Sequence, residues 1–347
     1  MERYLGMDVH ADSCTICVLS ASGQPSRRDV VATRAPALKE YFRSLSGKLH
    51  LCVEETEWSE WLVEILWPHV AEIVSVPGQR VRGSKNDQID AHALAERLRT
   101  GQIRRAVYKA PRQFSRLREL ARVYGKLTGD VVRTKNRLRS LFRRRGVACP
   151  GPQVYDPERR RELVAALPES IHSAVELLGR ELEGLEALRA EAEAAMVEAS
   201  HRFPISRILE TVPGLGPVRV AQMLPVVMTP HRFRTKRQFW SYCGFGVTTV
   251  SSSDWAQSDG RWIKASVTRT RGLNPNSNRV LKTIFKGAAH TVITHVRTNP
   301  LREAYERSVA AGTKPNLARL TLARKIAAIT LAMWKSQERF DPARVNG

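Results

Sequence analysis

The stretch Tyr4-Leu5-Gly6-Met7-Asp8-Val9 reads as a short apolar strand that carries a carboxylate at its end. Burying an unpaired charge in such a run is costly, so Asp8 needs a partner, and a cation is one candidate. Outward from it, Cys14 to Leu19 predicts a second strand, Ser22-Gly23-Gln24 a turn, and Arg28 to Ala32 a third strand. Ala37 to Leu45 has helical spacing, and Leu49 to Val53 is a strand running into Glu54. A Trp-rich helix (Trp58, Trp61, Leu62, Ile65, Leu66), a strand from Glu72 to Val76 and a helix from Gln88 to Leu98 complete the order βββαβαβα. That order implies a mixed sheet with helices packed on it.

Four carboxylates fall on this frame: Asp8 and Glu54 at strand ends, Asp87 and Asp90 at the start of the last helix. The i, i+3 spacing puts Asp87 and Asp90 on one helical face. Acids at a helix N-terminus are also good caps and complement the helix dipole, a reading that suits Asp87. Converging carboxylates with open positions suit Mg²⁺, and two such ions stabilise both oxygens in phosphoryl transfer. Glu55 and Glu57 compete with Glu54, but strand alternation places Glu54 and Glu55 on opposite faces, so only one can join Asp8.

The 347 residues carry 56 Lys+Arg against 34 Asp+Glu, a formal charge of +22. The length suggests two or three folded units, and 42% hydrophobic residues supply real cores. The apolar stretch Ile326 to Trp334 is far shorter than the roughly 20 residues of a membrane span. The N-terminus lacks the basic and apolar regions of a signal peptide, so a cytoplasmic, nucleoid-associated protein with no membrane partner is expected. Five cysteines, Cys14, Cys17, Cys52, Cys149 and Cys243, fit reduced, buried thiols; in a strand Cys14 and Cys17 face opposite sides, against a zinc site.

The charge is blocked. From Arg104 to Arg145 there are fifteen Lys/Arg and two acids; from Thr229 to Lys286, eleven and two. Between them Glu169 to Ser200 holds eight Glu and two Arg. One basic run is ordinarily a solvated helix face, but two blocks of one sign point to nucleic acid, whose phosphates reward clustered Lys/Arg. Within the first block Arg133, Lys135, Arg139, Arg143 and Arg144 are candidate contacts. In the acidic segment Ile171, Val175, Leu178, Leu182 and Leu185 recur with a period near 3.5, the mark of a coiled-coil seam. The seam can pair with the basic helix before it or with a second copy, and the dimer is slightly favoured. Pro150, Gly151, Pro152 and Pro157 mark a joint ahead of it.

Further on, Pro213-Gly214-Leu215-Gly216 separates the helical stretches Ile205 to Leu209 and Val220 to Leu224 and resembles a helix-hairpin-helix module. The ordinary reading is a tight turn; the functional one uses Gly214 and Gly216 to bring backbone N–H groups to a DNA phosphate. Then come Phe239-Trp240-Ser241-Tyr242-Cys243-Gly244-Phe245-Gly246, the run Ser251-Ser252-Ser253, and a basic stretch with Arg261, Lys264, Arg269 and Arg271. Serine runs are usually loops.

The element order and its acids resemble the RuvC-like branch of the ribonuclease H fold. More narrowly, Gly6-Met7-Asp8-Val9, Val53-Glu54-Glu55-Thr56 and Lys85-Asn86-Asp87-Gln88-Ile89-Asp90-Ala91 resemble the Asp-Glu-Asp-Asp signature of the insertion-sequence 110 family of transposases. The family has glycine where this chain has Glu57. The serine region resembles the family's second block, ending in Asn278-Arg279-Val280-Leu281-Lys282. Val247 stands where proline is common and Ser253 where glycine is.

The resemblance implies an α/β RNase H-like (RuvC-like) domain over 1–103, a basic helical segment over 104–150 and a coiled-coil linker over 155–200. A mainly α C-terminal transposase domain with the helix-hairpin-helix and the serine block follows over 201–347. It implies Mg²⁺-dependent breakage and rejoining of DNA at Asp8, Glu54, Asp87 and Asp90, with two ions. Ser252 is the implied nucleophile, with Ser251 and Ser253 open. Arg261, Lys264, Arg269 and Arg271 would neutralise phosphate charge. Implied partners are DNA at the element ends and target, a structured bridge (guide) RNA, and further copies in a dimer or dimer of dimers. The alternatives are a RuvC-like Holliday-junction-resolving endonuclease, in which water attacks, and an inactive nucleic-acid-binding remnant.

Overall fold

The computed structural model describes residues 1–78, 86–103, 112–148, 151–250, 255–264, 269–296 and 298–345. The chain divides into two compact units, Met1–Arg112 and Gln113–Gly347.

The first unit runs β1 (Glu2–Val9), β2 (Ser13–Ser20), β3 (Pro25–Ala32), α1 (Ala35–Ser44), β4 (Lys48–Glu54), α2 (Ser59–Leu66), β5 (Glu72–Val76) and α3 (Asp87–Arg99), the expected βββαβαβα order. The five-stranded sheet has the order β3-β2-β1-β4-β5. β2 is antiparallel to both β1 and β3, while β4 is parallel to both β1 and β5. The central strand β1 is apolar on both sides because both faces are covered. Leu5, Met7, Val9, Ile16, Val18, Leu51 and Val53 pack on one face against Leu38, Phe42, Leu62 and Leu66 of α1 and α2. The other face belongs to α3, where Cys17 and Leu19 meet Ala91 and Ala95, and Cys52 meets Leu94. Cys14 and Cys17 accordingly lie in different cores.

Gly6 sets how closely α3 lies on the sheet. A Cβ there would stand 1.9 Å from the Ala91 carbonyl oxygen and 2.5 Å from the Ala95 nitrogen, which only glycine avoids. Alternation then puts Asp8, two residues on, on this same face. The β1–β4 register pairs Gly6 with Cys52 and Met7 with Val53, so the parallel ladder brings Asp8 and Glu54 to the same sheet edge, on the α3 face.

The second unit is mainly helical: α4 (Ser115–Arg143), α5 (Gly151–Tyr155), α6 (Pro157–Val164), α7 (His172–Ser200), α8 (Pro204–Leu209), α9 (Gly216–Val227) and α10 (Lys236–Tyr242). Two short antiparallel ribbons follow, β6 (Val247–Val250) with β9 (Arg269–Leu273) and β7 (Trp255–Ser258) with β8 (Arg261–Lys264). The unit closes with α11 (Arg279–His295), α12 (Pro300–Ala310) and α13 (Pro315–Ser336).

The 29-residue helices α4 and α7 lie against each other. Val131, Leu138 and Phe142 of α4 share a core with Val175 and Leu182 of α7. Lys135 pairs with Glu186 at 2.6 Å, Arg137 reaches Glu181 at 3.7 Å, and the Thr134 hydroxyl donates to Glu181 at 3.1 Å. The acidic seam is therefore filled by the basic helix of the same chain. This differs from the dimeric pairing expected, because a partner of opposite charge is already tethered next to it.

α13 is a core helix, with Ile326, Ala327, Leu331 and Trp334 buried. Its Arg324 donates to the Phe245 carbonyl at 2.8 and 3.0 Å, while Trp240 Nε1 donates to the Arg324 carbonyl at 2.8 Å. These bonds tie the aromatic-glycine block of the sequence to the unit's core. Among the described residues, no helix is long and apolar enough to cross a membrane.

Candidate functional site

At the C-terminal edge of β1 the Asp8 carboxylate is largely covered, its side chain 15% exposed. The Val9 backbone N–H donates to its Oδ1 at 3.0 Å, which leaves Oδ2 pointing outward. Across from it α3 begins. Its cap is Asn86, whose Oδ1 accepts from the Gln88 N–H at 2.9 Å. The capping role suggested for Asp87 is thus taken by its neighbour, and the Asp87 carboxylate is left to face the sheet edge. A helix N-terminus tolerates such acids because its unpaired N–H groups carry partial positive charge.

The third member was not foreseen. His10 Nε2 lies 3.3 Å from Asp8 Oδ2 and 3.4 Å from Asp87 Oδ2. Ligand atoms of Asp8, His10 and Asp87 all lie within 4.8 Å of one another, and among the described residues this trio is the candidate metal group. The only sequence signal was a histidine two positions after a strand-end aspartate. The β1–β2 turn brings it round, with the His10 N–H donating to the Ser13 carbonyl at 3.0 Å and the Thr33 hydroxyl donating to the His10 carbonyl at 2.8 Å.

Glu54 ends β4 on the same edge, but its carboxylate turns toward β5, where a Cβ on Gly78 would stand 2.3 Å from Oε1. The turn after it is held by buried Ser59, whose hydroxyl donates to the Glu54 carbonyl at 3.2 Å and accepts from the Thr56 N–H at 2.8 Å. Glu55 accepts from the Ser75 hydroxyl, on the side away from Glu54, and Glu57 is exposed. Asp90 lies in the first turn of α3 and is half-buried. The structure therefore draws Asp8 and Asp87 together, adds His10, and leaves Glu54 and Asp90 outside that trio.

The donor set of two carboxylates and one imidazole fits a divalent cation, with His10 and Asp87 on the exposed side. The buried thiols do not compete. Burial pushes the Cys52 thiol up to about 12 and raises Cys14 and Cys17 as well, which keeps them protonated and poor ligands.

The candidate nucleic-acid residues separate into groups. Lys135 is half-buried, paired with Glu186 and set over the Tyr155 ring at 5.0 Å. Arg133 pairs with Asp130 on its own helix, and Arg139 is half-buried. Arg143 and Arg144, at the end of α4, are exposed. Gly214 has a positive φ of 83°, and a Cβ there would stand 2.4 Å from the Ala288 carbonyl oxygen, so it is fixed by packing on α11. Gly216 also has positive φ, 61°, but opens α9 with no neighbour within 4 Å of a Cβ. Arg261 is exposed at the start of β8, Lys264 ends that strand, and Arg269 and Arg271 lie in β9. Ser251, Ser252 and Ser253 lie outside the described residues.

Two family models and one known protein match this chain. A family model described as "Transposase", for the DEDD transposases of IS110 type, matches residues 5–145. A second, described as "Transposase IS116/IS110/IS902 family", matches residues 206–306. The chain is also 23% identical over 354 aligned residues to "Putative transposase y4pF/y4sB" of Sinorhizobium fredii (strain NBRC 101917 / NGR234), covering 98% of this chain and 86% of that protein. The first match takes in Asp8, Glu54, Asp87 and Asp90, and the second runs from α8 into α12, so that between them they hold both ends of the pattern, and the chain belongs to the IS110 family of transposases.

Proposed function

We propose that this transposase breaks and rejoins DNA strands of an insertion sequence, using an RNase H-like acidic site in its first unit and a serine nucleophile in its second. The observation that carries the reading is the meeting of Asp8 and Asp87 at one sheet edge, from positions 79 residues apart in the chain. Asp8 and Asp87 would hold a divalent cation, with Glu54 and Asp90 completing the set around a second. A Mg²⁺ ion bound there supplies Lewis-acid stabilisation of the phosphate oxygens during phosphoryl transfer. The chain's own part is positional: the Val9 N–H fixes Asp8, and the Asn86 cap fixes the start of α3.

Ser252 is the proposed nucleophile, with Ser251 and Ser253 as neighbours able to replace it. Its Oγ bonds to phosphorus as the bond to the leaving strand oxygen breaks, and the hydroxyl proton passes to that oxygen. The resulting phosphodiester to serine conserves the bond for rejoining. Arg261, Lys264, Arg269 and Arg271 would balance the phosphate charge. Arg143 and Arg144, exposed at the end of a basic helix, support contact with a polyanion, for which a structured guide RNA is proposed beside the DNA ends and target. Gly216, at the start of α9, is the better candidate of the two hairpin glycines for a phosphate. Active assembly would be a dimer or a dimer of dimers.

Asp8→Asn is expected to lower cleavage of the element's end by roughly a hundredfold or more, as loss of one transition-state charge partner does elsewhere. Ser252→Ala should abolish a covalent protein–DNA species seen on denaturing gels. Full cleavage and strand exchange by both variants would reject the proposal. Sequencing of RNA that co-purifies with the protein tests the guide; recovery of no structured RNA would remove it.

A further inference from the structure

The trio at the sheet edge contains a nitrogen donor that the acidic signature does not include. We infer that His10 is a direct metal ligand and that its imidazole biases the site toward Mn²⁺ over Mg²⁺. This rests on the reading that Asp8 and Asp87 hold a divalent cation.

The distances favour a ligand over a hydrogen-bonded neighbour. A charge-assisted N–H···O bond is about 2.7–2.9 Å long. His10 Nε2 stands farther than that from both oxygens, at 3.3 Å from Asp8 and 3.4 Å from Asp87, and is nearly equidistant from them. Neighbouring ligand atoms on an octahedron with bonds of about 2.1 Å stand about 3.0 Å apart, close to the two spacings that His10 makes, and all three ligand atoms lie within 4.8 Å of one another. One nitrogen shared between two carboxylate oxygens at that spacing frames a cation position.

The backbone supports the same role. His10 is pinned from both sides, by its N–H on the Ser13 carbonyl and its carbonyl under the Thr33 hydroxyl. The side chain therefore leaves a fixed turn, although it is 54% exposed. Asp8 Oδ1 is engaged by the Val9 N–H, so Oδ2, the oxygen nearest His10, is the one presented.

Chemistry then sets the ion. Mg²⁺ and Ca²⁺ prefer all-oxygen shells, whereas imidazole is a better donor to first-row transition ions, for which affinity rises from Mn²⁺ onward. A site with two carboxylates and one imidazole should accept Mg²⁺ but hold Mn²⁺ more tightly.

The test is Mn²⁺ binding to the full chain, followed by calorimetry and by electron spin echo envelope modulation. The wild-type protein should show nitrogen modulation from one imidazole and bind Mn²⁺ about tenfold or more tighter than Mg²⁺. His10→Ala should lose the modulation and the preference while retaining Mg²⁺ binding. His10→Asp should bind Mg²⁺ at least as well as wild type, without nitrogen modulation. Wild-type protein that shows no nitrogen modulation, or a His10→Ala variant with an unchanged Mn²⁺ to Mg²⁺ ratio, overturns the inference. Asp8→Asn and Asp87→Asn separate the two levels. If they lose both ions while His10→Ala changes nothing, only the role of His10 fails; if they bind both ions as wild type does, the acidic site itself fails with it.

Discussion

At Gly6 the sheet and α3 approach more closely than any side chain permits, and the cost of disturbing this falls on backbone atoms. Gly6→Ala must push α3 away from β1, an overpacking that costs about 1–3 kcal/mol or more. Thermal denaturation should show a clear drop in Tm, and if Asp87 serves the proposed acidic site, cleavage should be lost as well because Asp87 moves with the helix. Gly78 is a different case. There the group in the way is the Glu54 carboxylate, the end of a flexible side chain, rather than backbone. Gly78→Ala is expected to leave Tm within about 2 °C, since changes away from the packed core lie within about 0.5 kcal/mol. If Glu54 serves the acidic site, cleavage should fall severalfold in the same protein. Equal cleavage by Gly78→Ala and wild type would remove Glu54 from the site.

Between elements, the contact of α4 with α7 combines an apolar seam with charges across it. The seam carries the stability. Leu182 is fully buried, and Leu182→Ala should cost about 2–5 kcal/mol. Glu186→Ala removes a partly exposed ion pair and should cost less than about 1 kcal/mol. Chemical denaturation of the two variants checks the order; a larger loss for Glu186→Ala would mean that charge, not packing, holds the helices. Here the limits of the sequence can be located. The 3.5-residue spacing from Ile171 to Leu185 reveals a seam, but a period says nothing about which helix fills it. The strand ends at Asp8 and Glu54 were legible because an acid closing an apolar run is locally anomalous. The elements of the first unit were legible for the same local reason, with boundaries off by a few residues. His10 was not legible, since its value comes from a turn that carries it across to α3, a contact made only in three dimensions. Gly214 and Gly216 looked equivalent in Pro-Gly-Leu-Gly, and only the position of α11 distinguishes them.

Over the whole molecule the net charge is +22, and the fifteen Lys/Arg of the first basic block overstate what a polyanion meets there. Part of the first basic block faces α7, where Lys135 and Arg137 meet Glu186 and Glu181. Arg143 and Arg144 remain exposed, and they should carry a measurable share of the salt dependence. Replacing both with glutamine should weaken nucleic-acid binding across sequences and reduce the slope of log K against log salt by about 2. Tm should be unchanged. An unaltered slope would move the contact surface elsewhere.

The joining of β1 to α3 also bears on when the acidic pair can form during synthesis. Asp8 is made well before its partner at position 87, which arrives only after four further strands and two helices. β1 sits at the middle of the sheet and needs β4 beside it before its edge exists at all. Long-range pairings of this kind form late, because the intervening chain must first be ordered. A nascent fragment that stops short of α3 therefore carries the first aspartate without its partner, and the pair forms only once α3 is ordered against β1.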